Sequence, residues 1–135
     1  MAQPEPGAKI ELDAMVSPSE DPAKVLQAMK NVVGDAKSEV GTNSRSAKLV
    51  TDDTMALVHI RDQLRDRHVR SAARRQMLLK RSGRTTSLML NRQAATAGVV
   101  ALCGSPEESP LGPIYLTVES KDIDAAIDWL TAYTG

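Results

Sequence analysis

The sequence predicts an α+β domain of two layers, with helices packed on one face of a largely antiparallel sheet. Three observations carry that prediction. Stretches of period-two alternation mark strands at both ends of the chain, amphipathic helical segments stand between them, and the late strands follow one another too closely for crossover helices, so they must pair as hairpins. At 135 residues, 41% hydrophobic and 25% charged, the chain suits one compact domain able to bury a core without disulfides or metal. Residues 1–8, with two Pro and one Gly, read as a loose arm, and 9–135 as a single domain.

From Lys9 to Val16, apolar Ile10, Leu12, Ala14 and Val16 alternate with Lys9, Glu11 and Asp13, as in a strand with one wet face. Asp21 then offers an N-cap carboxylate and Pro22 a residue suited to the first helical position. The helix they open runs to about Val33, with Val25, Ala28, Met29 and Val32 as its apolar stripe and Gly34 placed to end it with positive φ. Asp35 to Arg45 reads as a polar connection, and Ala47 to Val50 as a short strand.

Asp53 or Thr54 caps the next helix, whose apolar face is Leu57, Ile60 and Leu64. A second stripe follows in Val69, Ala72, Ala73, Met77 and Leu79. At roughly 100° per residue the two stripes lie roughly 140° apart, so one straight helix could not bury both. The spacing therefore predicts a break near Asp66 to His68 and a second helix ending near Ser82 and Gly83. Thr85 to Asn91 alternates as a strand. Val99 to Cys103, apolar throughout between Gly98 and Gly104, reads as a central strand buried on both faces. The loop GSPEESPLGP leads to a last strand from Ile114 and to a helix capped by Ser120 or Asp122, with Ile123, Ile127 and Leu130 inward and Trp129 and Tyr133 along it. The predicted order is β-α-β-α-α-β-β-β-α.

Charge is the main functional signal. Net charge is −3 over residues 1–60, +8 over 61–92 and −5 over 93–135, so a neutral total conceals a strong dipole. The central block holds nine Arg and one Lys. Arginine presents a planar fork that engages phosphate oxygens in paired hydrogen bonds. On the second helix Arg67, Arg70, Arg74 and Arg81 fall on one flank of the apolar stripe, with Arg75 on the other side. Arg84, Arg92 and Gln93 extend the donor-rich set. These eight residues form the candidate nucleic-acid-binding site. With no Phe, one Trp and two Tyr, contact with the phosphate backbone is expected rather than stacking of bases. The alternative is that the arginines pair with Glu107, Glu108, Glu119, Asp122, Asp124 and Asp128, within the molecule or across a homodimer, giving a protein-interaction or self-associating subunit.

Other classes find little in the sequence. There is no glycine-rich phosphate loop with its lysine and no GxSxG elbow, so no enzyme is expected. His59 and His68 stand nine apart with no cysteine nearby, so no metal site is expected, nor any cofactor. Cys103, in VVALCG, reads as a buried small hydrophobe. Apolar runs are only strand-sized, and MAQPEPGA lacks the regions of a signal peptide, so no membrane span and a cytoplasmic location are expected.

Taken together, VSPSEDPAKVLQAM, RSAARRQMLLKR, LNRQAATAG, PLGPIYLTVES and DAAIDWL resemble, in order and spacing, the archaeal uncharacterised protein family 0201. The sequence departs from that pattern at Arg92, where the family implies lysine, and at Leu88 and Met89, where it implies aromatic residues. The resemblance implies a fold similar to the ribosomal protein that binds 5S ribosomal RNA, and no known activity. Structured RNA is the partner expected from that fold together with the +8 segment and its arginine bias.

Overall fold

The structure, a computed structural model, describes residues 7–43 and 45–131. Five strands, β1 (Ala8–Met15), β2 (Glu39–Thr42), β3 (Ser46–Thr51), β4 (Thr85–Leu90) and β5 (Ile114–Ser120), form one sheet in the order β2-β3-β1-β5-β4, every pair antiparallel. Strand β1 lies at its centre because both of its edges pair. The register aligns Leu49, Leu12, Leu116 and Leu88 across four strands. All four side chains are buried, while the residues alternating with them are not. Period two thus places every core residue of the sheet on one face.

Five helices cover that face: α1 (Pro22–Val33), α2 (Thr54–Asp66), α3 (Arg70–Lys80), α4 (Arg92–Thr96) and α5 (Ile123–Leu130). The expected caps form. Asp21 accepts the Ala23 N–H at 3.0 Å, with Pro22 at the first helical position, and Asp122 accepts the Ala125 N–H at 3.1 Å. Gly34 ends α1 at φ +67°, donating its N–H to the Lys30 carbonyl. A Cβ there would stand 2.9 Å from the His59 ring, so both conformation and space require glycine.

The phase conflict between the two middle helices is resolved where the sequence places it. Helix α2 ends at Asp66, His68 takes φ +57°, and α3 starts at Arg70. Leu57, Ile60 and Leu64 are buried from α2, Ala73 and Met77 from α3. Because a β-branched residue is strongly disfavoured at such a φ, His68→Val is expected to lower stability by about 1–3 kcal/mol. Urea denaturation of the variant beside His68→Gly, which fits this φ without strain, checks it. Equal stability of the two would refute the attribution to backbone conformation.

Asp53 joins two segments. Its carboxylate accepts the Lys37 N–H at 2.9 Å and the Met55 N–H at 3.0 Å, tying the loop after α1 to the start of α2. These two hydrogen bonds, that from Lys37 first, hold its carboxyl below the ordinary value of 3.8. The folded pKa is depressed, so the stabilisation is present above the ordinary value and is lost as pH falls through the folded one. The difference in thermal midpoint between the native protein and Asp53→Asn is therefore expected to shrink on acidification below the ordinary value. A difference that stays constant with pH would contradict it.

The expected class of fold is present, but the element order differs: one expected strand is absent, one further strand is present, and a short helix stands where a turn was expected. Val99–Cys103 is not a central strand. It lies beyond β4 at the sheet's edge and makes a single bridge, Leu90 to Leu102. The bridge uses Asn91 N–H to Ala101 C=O at 2.8 Å and Cys103 N–H to Met89 C=O at 2.9 Å. In a continuing ladder Met89 would return its own N–H to Cys103. Instead the Gln76 carboxamide of α3 stands between them, donating to the Cys103 carbonyl at 2.6 Å and accepting the Met89 N–H at 3.3 Å. Side-chain hydrogen bonding replaces the strand pairing, which explains the correction. The fifth strand is β2, inside the segment read as a polar connection. All four of its residues are exposed and only β3 pairs with it, so it carries no apolar signal. The turn at Asn91 is likewise a helix start, for its side chain accepts the Ala94 N–H at 2.9 Å and opens α4. Tyr133 lies outside the described residues.

Candidate nucleic-acid interface

The basic block is divided by its partners. Two arginines of the α3 end face α5: Arg74 Nη1 lies 2.5 Å from Asp128 Oδ1, and Arg81 pairs with Asp124. Arg61 lies over the Trp129 ring at 4.7 Å from its centroid, and Arg65 pairs with Asp62 and Asp66. The acidic C-terminal segment thus neutralises one side of α3 within the molecule. Two of its other carboxylates have local roles: Asp122 caps α5, and Glu108 accepts the Gly104 and Ser105 N–H groups around the short 3-10 turn Pro106–Glu108.

Arg92 is a correction. Its side chain is buried, not at the surface, with Nη1 2.6 Å from Glu20 Oε1. The cause is its position at the first turn of α4, which packs on α1 near the turn holding Glu20. Its backbone is also fixed, since its N–H donates to Ser109 Oγ at 3.1 Å. A guanidinium so enclosed offers no surface to phosphate. Its neighbour Gln93 is exposed, and its carbonyl accepts the Ala97 N–H.

Arg67, Arg70, Arg75 and Arg84 remain exposed, with no side-chain partner among the described residues. The structure brings two of them together. Arg67, which ends α2, and Arg75 both line a groove of about 600 Å³ between α3 and the segment 100–104. Arg70 sits on the first turn of α3, on the flank that carries Arg74 and Arg81, and does not line the groove. Arg84 lies past the other end of that helix, about 16 Å along at 1.5 Å per residue, and its carbonyl accepts the Ser120 N–H.

The groove exists because of residues that charge counting overlooked. Gln76 holds α3 against Cys103 and Met89, and Gln63 of α2 accepts the Val100 N–H at 3.3 Å. Between these two amides, Val69, Ala72 and Leu79 face Val100 and Leu102 across an apolar floor. Leu79, expected in the core, is 79% exposed there. Cys103 is buried behind the wall, and burial first, then the Glu108 carboxylate, push its thiol above the ordinary value. The useful sequence signal was an amide at Gln76 on the helix and an apolar run too isolated to be a ladder.

Among the described residues no His, Cys, Asp and Glu side chains group to hold a metal, and no helix is long and apolar enough to cross a membrane.

Comparison with known proteins gives a consistent match. Over residues 9–120 the chain matches a protein family described as RNA binding. A UPF0201 protein of Sulfurisphaera tokodaii is 37% identical over 129 residues, covering 93% of this chain and 88% of the relative. One from Sulfolobus acidocaldarius is 31% identical over 128 residues with the same coverage. The crystal structure of a UPF0201 protein from Methanococcus jannaschii superposes with a TM-score of 0.76 at 24% identity, over 94% of this chain and 95% of that one.

Proposed function

The chain belongs to the UPF0201 family, and the description it matches over most of its length is RNA binding; from that premise we propose that it binds structured RNA through phosphate contacts made by arginines around α3. One observation carries the finer reading. Arg67 and Arg75 line one groove and Arg70 is exposed at the start of α3, all without a carboxylate partner among the described residues, while Arg74 on that helix and Arg81 at its end are already paired. Guanidiniums left unpaired on a surface are available to phosphate oxygens as bidentate donors. Binding, not catalysis, is the activity proposed. The likeness to the ribosomal protein that binds 5S ribosomal RNA belongs to the same reading, supported by helices on one face of an antiparallel sheet.

Counterion release makes such binding fall steeply with salt and depend little on sequence. Fluorescence anisotropy against a structured RNA at low and at physiological salt tests the proposal. Saturable binding that weakens as salt rises supports it; no binding even at low salt rejects it.

A second reading, self-association as a homodimer or protein-interaction subunit, draws on the uncovered face of the sheet. Met15 and Tyr115 are exposed there, beside Lys48 and Glu11, which pair at 3.3 Å. Light scattering of RNA-free protein with and without added salt addresses it, an RNA-independent oligomer being its expected sign.

A further inference from the structure

The groove has an interior that a phosphate contact alone does not need. Its floor is aliphatic, from Val69, Ala72 and Leu79 on one side and Val100 and Leu102 on the other. Its width is fixed, because the Gln76 carboxamide is bonded at both ends and keeps α3 and the 100–104 segment from closing on each other. Its far wall carries main-chain groups. Since Ala101 and Cys103 make the two bonds to β4, Leu102 turns its own N–H and C=O away from that strand, and neither finds a partner among the described residues. One donor and one acceptor thus stand on an edge beside an apolar slot, with Arg67 and Arg75 at its rim.

The volume of about 600 Å³ lies within the roughly 300–1,000 Å³ typical of pockets that enclose small ligands. A paired base cannot enter it, because in a duplex its faces are stacked and its Watson–Crick edge is engaged. An unpaired nucleotide can be splayed out, and its base offers a flat apolar face together with donors and acceptors on its edge. We propose that the groove takes one unpaired nucleotide of the bound RNA, its base against the aliphatic floor and the Leu102 main chain, its neighbouring phosphates at Arg67 and Arg75. This rests on the RNA-binding reading and names the part of the RNA that the site selects. With no aromatic side chain in the slot, base identity is read at the main-chain edge and by fit, not by stacking.

The test compares two RNA hairpins of one stem sequence, differing only by a single bulged 2-aminopurine, by anisotropy and by the fluorescence of that base. The native protein is expected to bind the bulged hairpin about tenfold more tightly, the scale of one base contact, with a change in 2-aminopurine emission. Ala72→Leu, which fills the slot without altering charge, is expected to abolish that preference and leave affinity for the plain hairpin unchanged. Leu79→Gln, at an exposed position that the fold does not need, is expected to reduce the preference in the same way. Equal affinity of the native protein for both hairpins overturns this inference while leaving RNA binding standing, as does a preference that survives both substitutions. Failure to bind either hairpin overturns both readings. Displacement of the bulged hairpin by an extended polyglutamate peptide at lower concentration than by plain hairpin also overturns it, assigning the slot to an acidic strand.

Discussion

Glu20→Ala is expected to lower the unfolding free energy by about 3–5 kcal/mol, because it leaves the Arg92 charge buried with nothing opposite it. Side-chain exposure at the pair is 5% for Arg92 and 13% for Glu20, with 2.6 Å between charged atoms. Glu20 Oε1 also accepts the Ser17 N–H at 2.8 Å, so the substitution removes the anchor of the loop before α1 as well. Arg92 is already poorly satisfied: its Nε and Nη2 are buried without a hydrogen-bond partner among the described residues. Buried unpaired N–H groups cost free energy that an apolar side chain would not. The double variant Glu20→Ala with Arg92→Met is therefore expected to recover most of the loss. Chemical denaturation of the two singles and the double gives the coupling directly. If Glu20→Ala alone loses less than about 1 kcal/mol, the value of an exposed pair, the guanidinium must be reaching water and the buried assignment fails.

Arg92 also illustrates what the sequence could not convey. Elements governed by local chemistry were legible: the alternation of Ile10, Leu12 and Ala14, the Asp21–Pro22 start and Gly34 end of α1, and the break at His68, each arising from residues within a few positions of one another. Strand β2 went unread because all its residues are exposed, and the other main misreadings occurred where a distant side chain intervened. Val99 to Cys103 has the composition of a central strand, yet Gln76 occupies the hydrogen bonds that would have made it one. The basic block was visible as charge, but its division was not, because the partners lie 54, 43 and 72 residues away for Arg74, Arg81 and Arg92. Spacing puts Arg74 and Arg75 on opposite flanks of α3, but it does not say that the first flank turns to Asp128 and the second to the groove. That distinction follows only from which face of α3 meets α5.

The same division produces the largest expected effect on binding. Replacing Arg67, Arg70 and Arg75 together by Gln is expected to weaken RNA binding about a hundredfold at low salt and to flatten the dependence of log K on log salt by about 2–3, since each phosphate contact contributes about 0.7–0.9 to that slope. The three positions are exposed and form no ion pair with the described residues, so thermal stability is expected to stay within about 0.5 kcal/mol of the native value. Arg74→Gln with Arg81→Gln removes two charges from the same helix, but charges already opposed by Asp128 and Asp124. Their loss is expected to cost stability, about 0–1 kcal/mol for each pair, and to leave the salt slope within about 1 of the native one. The comparison separates a specific surface from bulk charge. Were RNA drawn only by net charge, the loss in affinity would scale with the number of arginines removed, wherever they lie on α3. Anisotropy titrations at four salt concentrations distinguish the two, and an equal loss per arginine from both sets would dismiss the unpaired arginines as the interface.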